Sequence, residues 1–141
     1  MQQKDYILRE IEKIGDLIMG LLGKLKKSIG SPEVSIGEKI EDAQEVLHNE
    51  IGFDLALFIS LAEAEVGHYL SEFQGMNTKN RELLADLLKE TGEQYAGEAG
   101  TIYLEKALIM LELCKLEDRT YSLDREHKIE EIKQLLQSFE E

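Results

Sequence analysis

Along the first thirty residues, the apolar positions Ile7, Ile11, Ile14, Ile18, Leu21 and Leu25 recur at alternating spacings of four and three. That rhythm predicts a helix with one apolar seam. Projected at about 100° per residue, Leu8, Leu17, Met19 and Leu22 widen the seam into a broad arc. A helix covering one core needs a stripe only a little over ~100° wide, so this arc is expected to meet more than one surface. Gly15, Gly20 and Gly23 each cost about 1 kcal/mol inside a helix. Packing must offset that cost, or the helix ends early near Gly20. Ser28 to Pro32, with Gly30, reads as the break before the next element.

The pattern continues helical to the end of the chain. Ser35-Ile36-Gly37-Glu38 matches a capping box, in which Ser accepts from the third amide and Glu answers back. Ile36, Ile40, Ala43 and Leu47 form the stripe behind it, ending around Glu50 to Gly52. Asp54 is placed to cap a short turn through Ile59. Ser60-Leu61-Ala62-Glu63 reads as a second capping box, followed by Ala62, Val66, Tyr69 and Phe73. After the polar stretch 74–80, a fifth helix is predicted from Thr78 to Tyr95, with Leu84, Leu87, Leu88, Thr91 and Tyr95 inward. A sixth follows Gly97 and Gly100 and carries Leu104, Ala107, Leu108 and Leu111. Ser122 begins the last, on which Ile129, Ile132, Leu136 and Phe139 share a face. The expected fold is all-α: one domain over 1–141, an antiparallel array of six to seven helices. Its parts are an amphipathic helix in 1–30 and a helical hairpin region in 78–138.

Composition narrows the partners. The chain has 141 residues, one proline, no tryptophan and a net charge of −13. A surplus of that sign argues against nucleic acid, whose phosphates need Lys and Arg at the contact. Charge is uneven: residues 1–30 hold six basic and four acidic groups, and 31–141 hold ten and twenty-five. One cysteine, Cys114, fits a reducing compartment. No signal-peptide pattern opens the chain, because charges interrupt its apolar positions. These features together are read as a soluble cytoplasmic protein.

Gly92-x-x-Tyr95 followed by Gly100-x-x-x-Leu104-x-x-Ala107-Leu108 resembles the small and aromatic positions of a tetratricopeptide hairpin. Tyr103-Leu104-Glu105-Lys106-Ala107-Leu108 is similar to the second-helix core of that repeat. The departures are Thr91 where Leu is usual, no opening Trp, no following Pro, and a Tyr95–Gly100 spacing about one turn short. One copy is present, where an array needs about three. The chain as a whole resembles a group of uncharacterised bacterial helical proteins through Asp5-Tyr6-Ile7-Leu8-Arg9-Glu10-Ile11-Glu12 and Leu83-Leu84-Ala85-Asp86-Leu87-Leu88. That resemblance implies a tetratricopeptide-like fold, and it carries no assigned activity and no catalytic residue. Any Leu-Glu-Lys-rich helical hairpin shares much of this pattern.

Candidate chemistry is sparse. Glu45-x-x-His48 and Glu65-x-x-His68 place carboxylate and imidazole on one helix face, as ferritin-like di-iron bundles do twice over. Those bundles also need an inward Glu from each of two further helices. In an acid-rich chain such pairs arise by chance, as Asp124 before His127 illustrates. Cys114 continues the Leu104, Ala107, Leu111 face and reads as a buried small hydrophobe. No phosphate loop or nucleophile motif is present.

The expectation is therefore a non-enzymatic protein-interaction or assembly module with no cofactor and no metal; a carboxylate/histidine metal-binding enzyme is the alternative. The expected binding surface is Ile7, Ile11, Ile14, Ile18, Leu21 and Leu25 of the first helix, or a groove lined by Tyr95 and Tyr103. The partner is unknown. The first helix has three competing readings: packing within its own chain, pairing in a homodimer, or lying on a membrane with Lys24, Lys26 and Lys27 toward anionic lipid, the last disfavoured by the acidic body. The acidic surface favours a partner with Lys or Arg at its rim.

Overall fold

The computed structural model describes residues 2–27, 35–95 and 97–140. Among them are seven helices and no strand: α1 Gln2–Lys27, α2 Ile36–Ile51, α3 Leu55–Ser60, α4 Glu63–Ser71, α5 Thr78–Gln94, α6 Glu98–Glu117 and α7 Leu123–Glu140. The all-α array expected from the periodicity is the observed fold. α1 does not stop near Gly20; it runs through all three glycines. The break expected at Ser28, Gly30 and Pro32 lies outside the described residues.

Local chemistry sets most boundaries. Ser35 Oγ accepts from the Glu38 amide at 3.2 Å, Asp54 Oδ1 from Leu57 at 3.0 Å, and Asn77 Oδ1 from Asn80 at 3.0 Å. Each satisfies one of the amides a helix start leaves without an internal partner. The expected box at Ser60 is corrected: Ser60 is the last residue of α3, and its hydroxyl donates to the Leu57 carbonyl at 2.6 Å. α4 starts instead behind Ala62, whose amide donates to the Glu65 carboxylate at 3.2 Å. Apolar Leu61 packs on the core at this bend, and that moves the boundary. The region 52–59 resolves into a turn and the short α3.

Two amide side chains set the main register. Asn80 Nδ2 donates to the Ile11 carbonyl at 2.9 Å, and Gln94 Nε2 donates to the Leu25 carbonyl at 2.9 Å. Both pairs are 69 residues apart, so α1 and α5 lie parallel and in step. On the other flank, Arg125 meets Glu82 at 2.6 Å, Lys128 meets Asp86 at 3.1 Å and Lys89 meets Glu131 at 3.0 Å. These pairs advance together along both helices, so α7 is also parallel to α5. α6 returns antiparallel between them, tied by Arg81–Glu117 at 2.6 Å and Lys115–Glu126 at 2.9 Å.

The α5–α6 crossing is close because glycines face each other. A Cβ on Gly92 would sit 2.8 Å from the Gly100 carbonyl, and one on Gly100 would run into the Gly92 carbonyl. Backbone atoms cannot rotate aside, so any side chain there forces the helices apart.

The remaining helices cover the α1–α5–α6 face. Phe53, buried at the α2–α3 turn, has Phe58, Tyr69 and Phe73 around it at centroid distances of 5.2, 5.4 and 5.2 Å. Tilted and edge-on rings at this spacing favour one another beyond their burial. The Tyr69 hydroxyl accepts from the Asp54 amide at 2.9 Å, joining α4 to the start of α3. Lys106 of α6 is buried and donates through Nζ to the Leu61 carbonyl at the end of α3. Burial lowers its pKa, against the raising effect of Glu105, Glu63 and Glu65.

Candidate interaction surfaces

The apolar seam of α1 divides in two. Ile14, Ile18, Leu21 and Leu25 are buried in the chain's own core, each no more than 7% exposed. These four are corrected as a free binding surface, because α5 and the α2–α4 layer already cover them. The α5 register explains the split. α5 begins at Thr78, which pairs in level with Arg9 of α1, so the first two turns of α1 overhang the helix that covers the rest. Ile7 remains 40% exposed there, Ile11 is half-buried, and Tyr6 and Leu8 are exposed. Leu17 and Leu22, expected to widen the arc, pack against the core, whereas Met19 is exposed.

A second apolar group lies at that same end. Leu116, Tyr121 and Leu123 flank the α6–α7 turn, and the Arg81–Glu117 and Arg125–Glu82 pairs place this turn level with the start of α5. Of the ten large apolar side chains left exposed among the described residues, these three and Tyr6, Ile7 and Leu8 make six at one end of the bundle. Periodicity located the α1 residues, but it could not place the α6–α7 turn at the same end.

At the opposite end, α1 and α2 separate to leave a groove of about 350 Å³. Leu21, Leu25, Ala43 and Val46 form its floor, with Lys24, Lys27, Lys39 and Asp42 around them. Among the described residues this lining carries three cations and one anion, in a chain of net charge −13. The sequence marked Lys24 and Lys27 as a basic end to α1; nothing in it pointed to Lys39, which arrives from another helix.

Tyr95 and Tyr103 do come together. Their rings stack at 5.5 Å with planes 14° apart, and both pack on the core. Burial raises the Tyr103 pKa, with Tyr95 adding to it. Each ring has one face taken by the other, which suits a joint between α5 and α6 as well as a groove wall.

The structure does not assemble the carboxylate/histidine pairs. Glu45 and His48 are exposed on α2, Glu65 is engaged at the start of α4, and His68 lies 4.0 Å from Glu72 at the surface. Among the described residues, no three His, Cys, Asp or Glu side chains are grouped to hold a metal. Cys114 is buried, and burial pushes its thiol up to about 11, with Glu82 adding to the shift. A thiol held protonated is a poor nucleophile. No described helix is long and apolar enough to cross a membrane.

Compared with protein-family models, curated proteins and solved structures, the chain matches none.

Proposed function

We propose that this chain is a non-enzymatic protein-interaction or assembly module, working in the cytoplasm. The observation that carries the reading is the collection of Tyr6, Ile7, Leu8, Leu116, Tyr121 and Leu123 at one end of the bundle. Single exposed apolar residues are ordinary, but six of ten at one end of a bundle favour that end as the one another surface covers. The reading of α5–α6 as a tetratricopeptide-like hairpin is supported by the Gly92–Gly100 approach and the stacked Tyr95 and Tyr103. The buried, protonated Cys114 is in keeping with a reducing compartment.

The test compares tagged wild type with a Leu8→Glu, Leu116→Glu double variant, both purified from the native host. Both positions are solvent-facing, so circular dichroism should show equal helicity. A protein retained by wild type in stoichiometric amount and lost by the variant is the expected result. Identical sets of retained proteins would refute the assignment of this end.

A further inference from the structure

We propose that the cleft where α1 meets the ends of α2 and α4 takes an arginine side chain of the partner protein. The inference names the partner's chemistry, so it rests on the interaction-module reading. The cleft has a volume of about 390 Å³, within the range of roughly 300–1,000 Å³ usual for ligand sites. Tyr6, Glu10 and Ile14 line it from α1, Ile51 from the end of α2, and Glu72, Phe73 and Gln74 from the end of α4.

Two features of the sequence build it. Tyr6, Glu10 and Ile14 are spaced by four, so they lie one above another on one face of α1. Ile14 is buried, and Ile51 and Phe73 are half-buried, which gives the cleft an apolar floor. Gly75 then sets how closely the chain after α4 approaches. A Cβ there would sit 2.6 Å from both the carbon and the oxygen of the Glu10 carbonyl. A residue without a Cβ lets this turn lie against α1, and Glu72 and Glu10 come to line the same cleft.

Charge and shape select the occupant. Among the described residues, the lining holds two carboxylates and no Lys or Arg. Glu10 is half-buried, and its carboxylate has no hydrogen-bond or ion-pair partner among the described residues. Glu72 is 4.0 Å from His68, which is 86% exposed and is not part of the lining. A cation carried on an apolar stem fits such a cleft, with the stem on Ile51 and Phe73 and the head at the acids. A planar guanidinium also covers an aromatic face and meets a carboxylate through two N–H groups, which favours arginine over lysine. Tyr6, 55% exposed, offers that face. Tyr6 also belongs to the apolar end, so the arginine enters at the margin of the proposed contact.

Amide spectra of the full chain titrated with N-acetyl-arginine amide, and with the neutral isostere N-acetyl-citrulline amide, test this. The arginine probe should shift Glu10, Phe73 and Gln74 at millimolar concentration, and the citrulline probe should not. A Glu10→Gln, Glu72→Gln double variant should weaken the arginine probe about threefold to tenfold with helicity unchanged. A Glu41→Gln, Glu45→Gln variant, on exposed acids of α2, should bind it as wild type does. No shift with the arginine probe, equal binding of both probes, or equal loss in the two double variants overturns the proposal. These titrations need no native partner. The arginine cleft can therefore fail while the Leu8, Leu116 end still retains a protein, and the reverse.

Discussion

Substituting alanine at Gly20 and at Gly100 is one chemical change with two opposite expected signs. At Gly20, in the middle of α1, a new Cβ meets nothing within 4 Å. Alanine there removes the backbone freedom that glycine loses on folding, so a gain of about 0.5–1 kcal/mol is expected. At Gly100 the new Cβ would lie 2.9 Å from the Tyr95 carbonyl and would press into that of Gly92. Both obstacles are main chain, so relief requires α5 and α6 to part. Overpacking of this kind costs about 1–3 kcal/mol. The helix-propensity gain is small so near the start of α6, leaving a net loss of about 1–2 kcal/mol. For a chain of this size that is roughly 3–8 °C in Tm, downward for Gly100→Ala and by a smaller amount upward for Gly20→Ala. Urea unfolding followed by circular dichroism reads both. Equal or greater stability of Gly100→Ala would show that the hairpin is not held at the spacing these glycines allow.

Three further outcomes follow from side chains elsewhere. Arg125→Met leaves Glu82 and Asp118 without the cation they share at 2.6 and 2.8 Å, and should lower the urea midpoint, by less than a fully buried pair would because both acids retain solvent. Arg125, with help from the Thr120 amide, holds the Asp118 carboxyl below its ordinary value, so its contribution is full above the unfolded pKa and lost as pH falls through the folded one; the acid limb of an unfolding profile should flatten in the variant. Cys114 should resist a thiol reagent at pH 8 in the native protein and react at once in denaturant; since its folded pKa is raised, the stability linked to it is full below the unfolded value and declines as pH rises toward about 11. Gly15→Ala places a Cβ 2.9 Å from Asn80 Oδ1, while Asn80→Ala removes the bonds to Ile11 and Gly75, so each should destabilise by about 1–2 kcal/mol and the double variant by less than their sum.

Periodicity reports which side of a helix turns inward, and it placed Ile14, Ile18, Leu84, Leu88, Leu104 and Leu111 in the core correctly. It is silent on which helix each one meets. The α1–α5 pairing depends on Asn80 and Gln94, two polar residues that a hydrophobic pattern discards. The α5–α7 ladder depends on charges that read as a solvated face until both helices are side by side. The same gap hid the groove, whose rim comes partly from Lys39. The excess apolar arc of α1 was visible, but its division at Arg9 was not, because the start of α5 sets that point.

The 69-residue offset between α1 and α5 also has a consequence during synthesis. The leading helix leaves the ribosome first, yet the helix that shields it is finished only after that many further residues. At about 5–20 residues per second, the nascent chain carries an oily stripe for roughly 3 to 14 s before its lifelong neighbour emerges. Throughout that interval the newborn polypeptide is a natural client for chaperones at the exit tunnel.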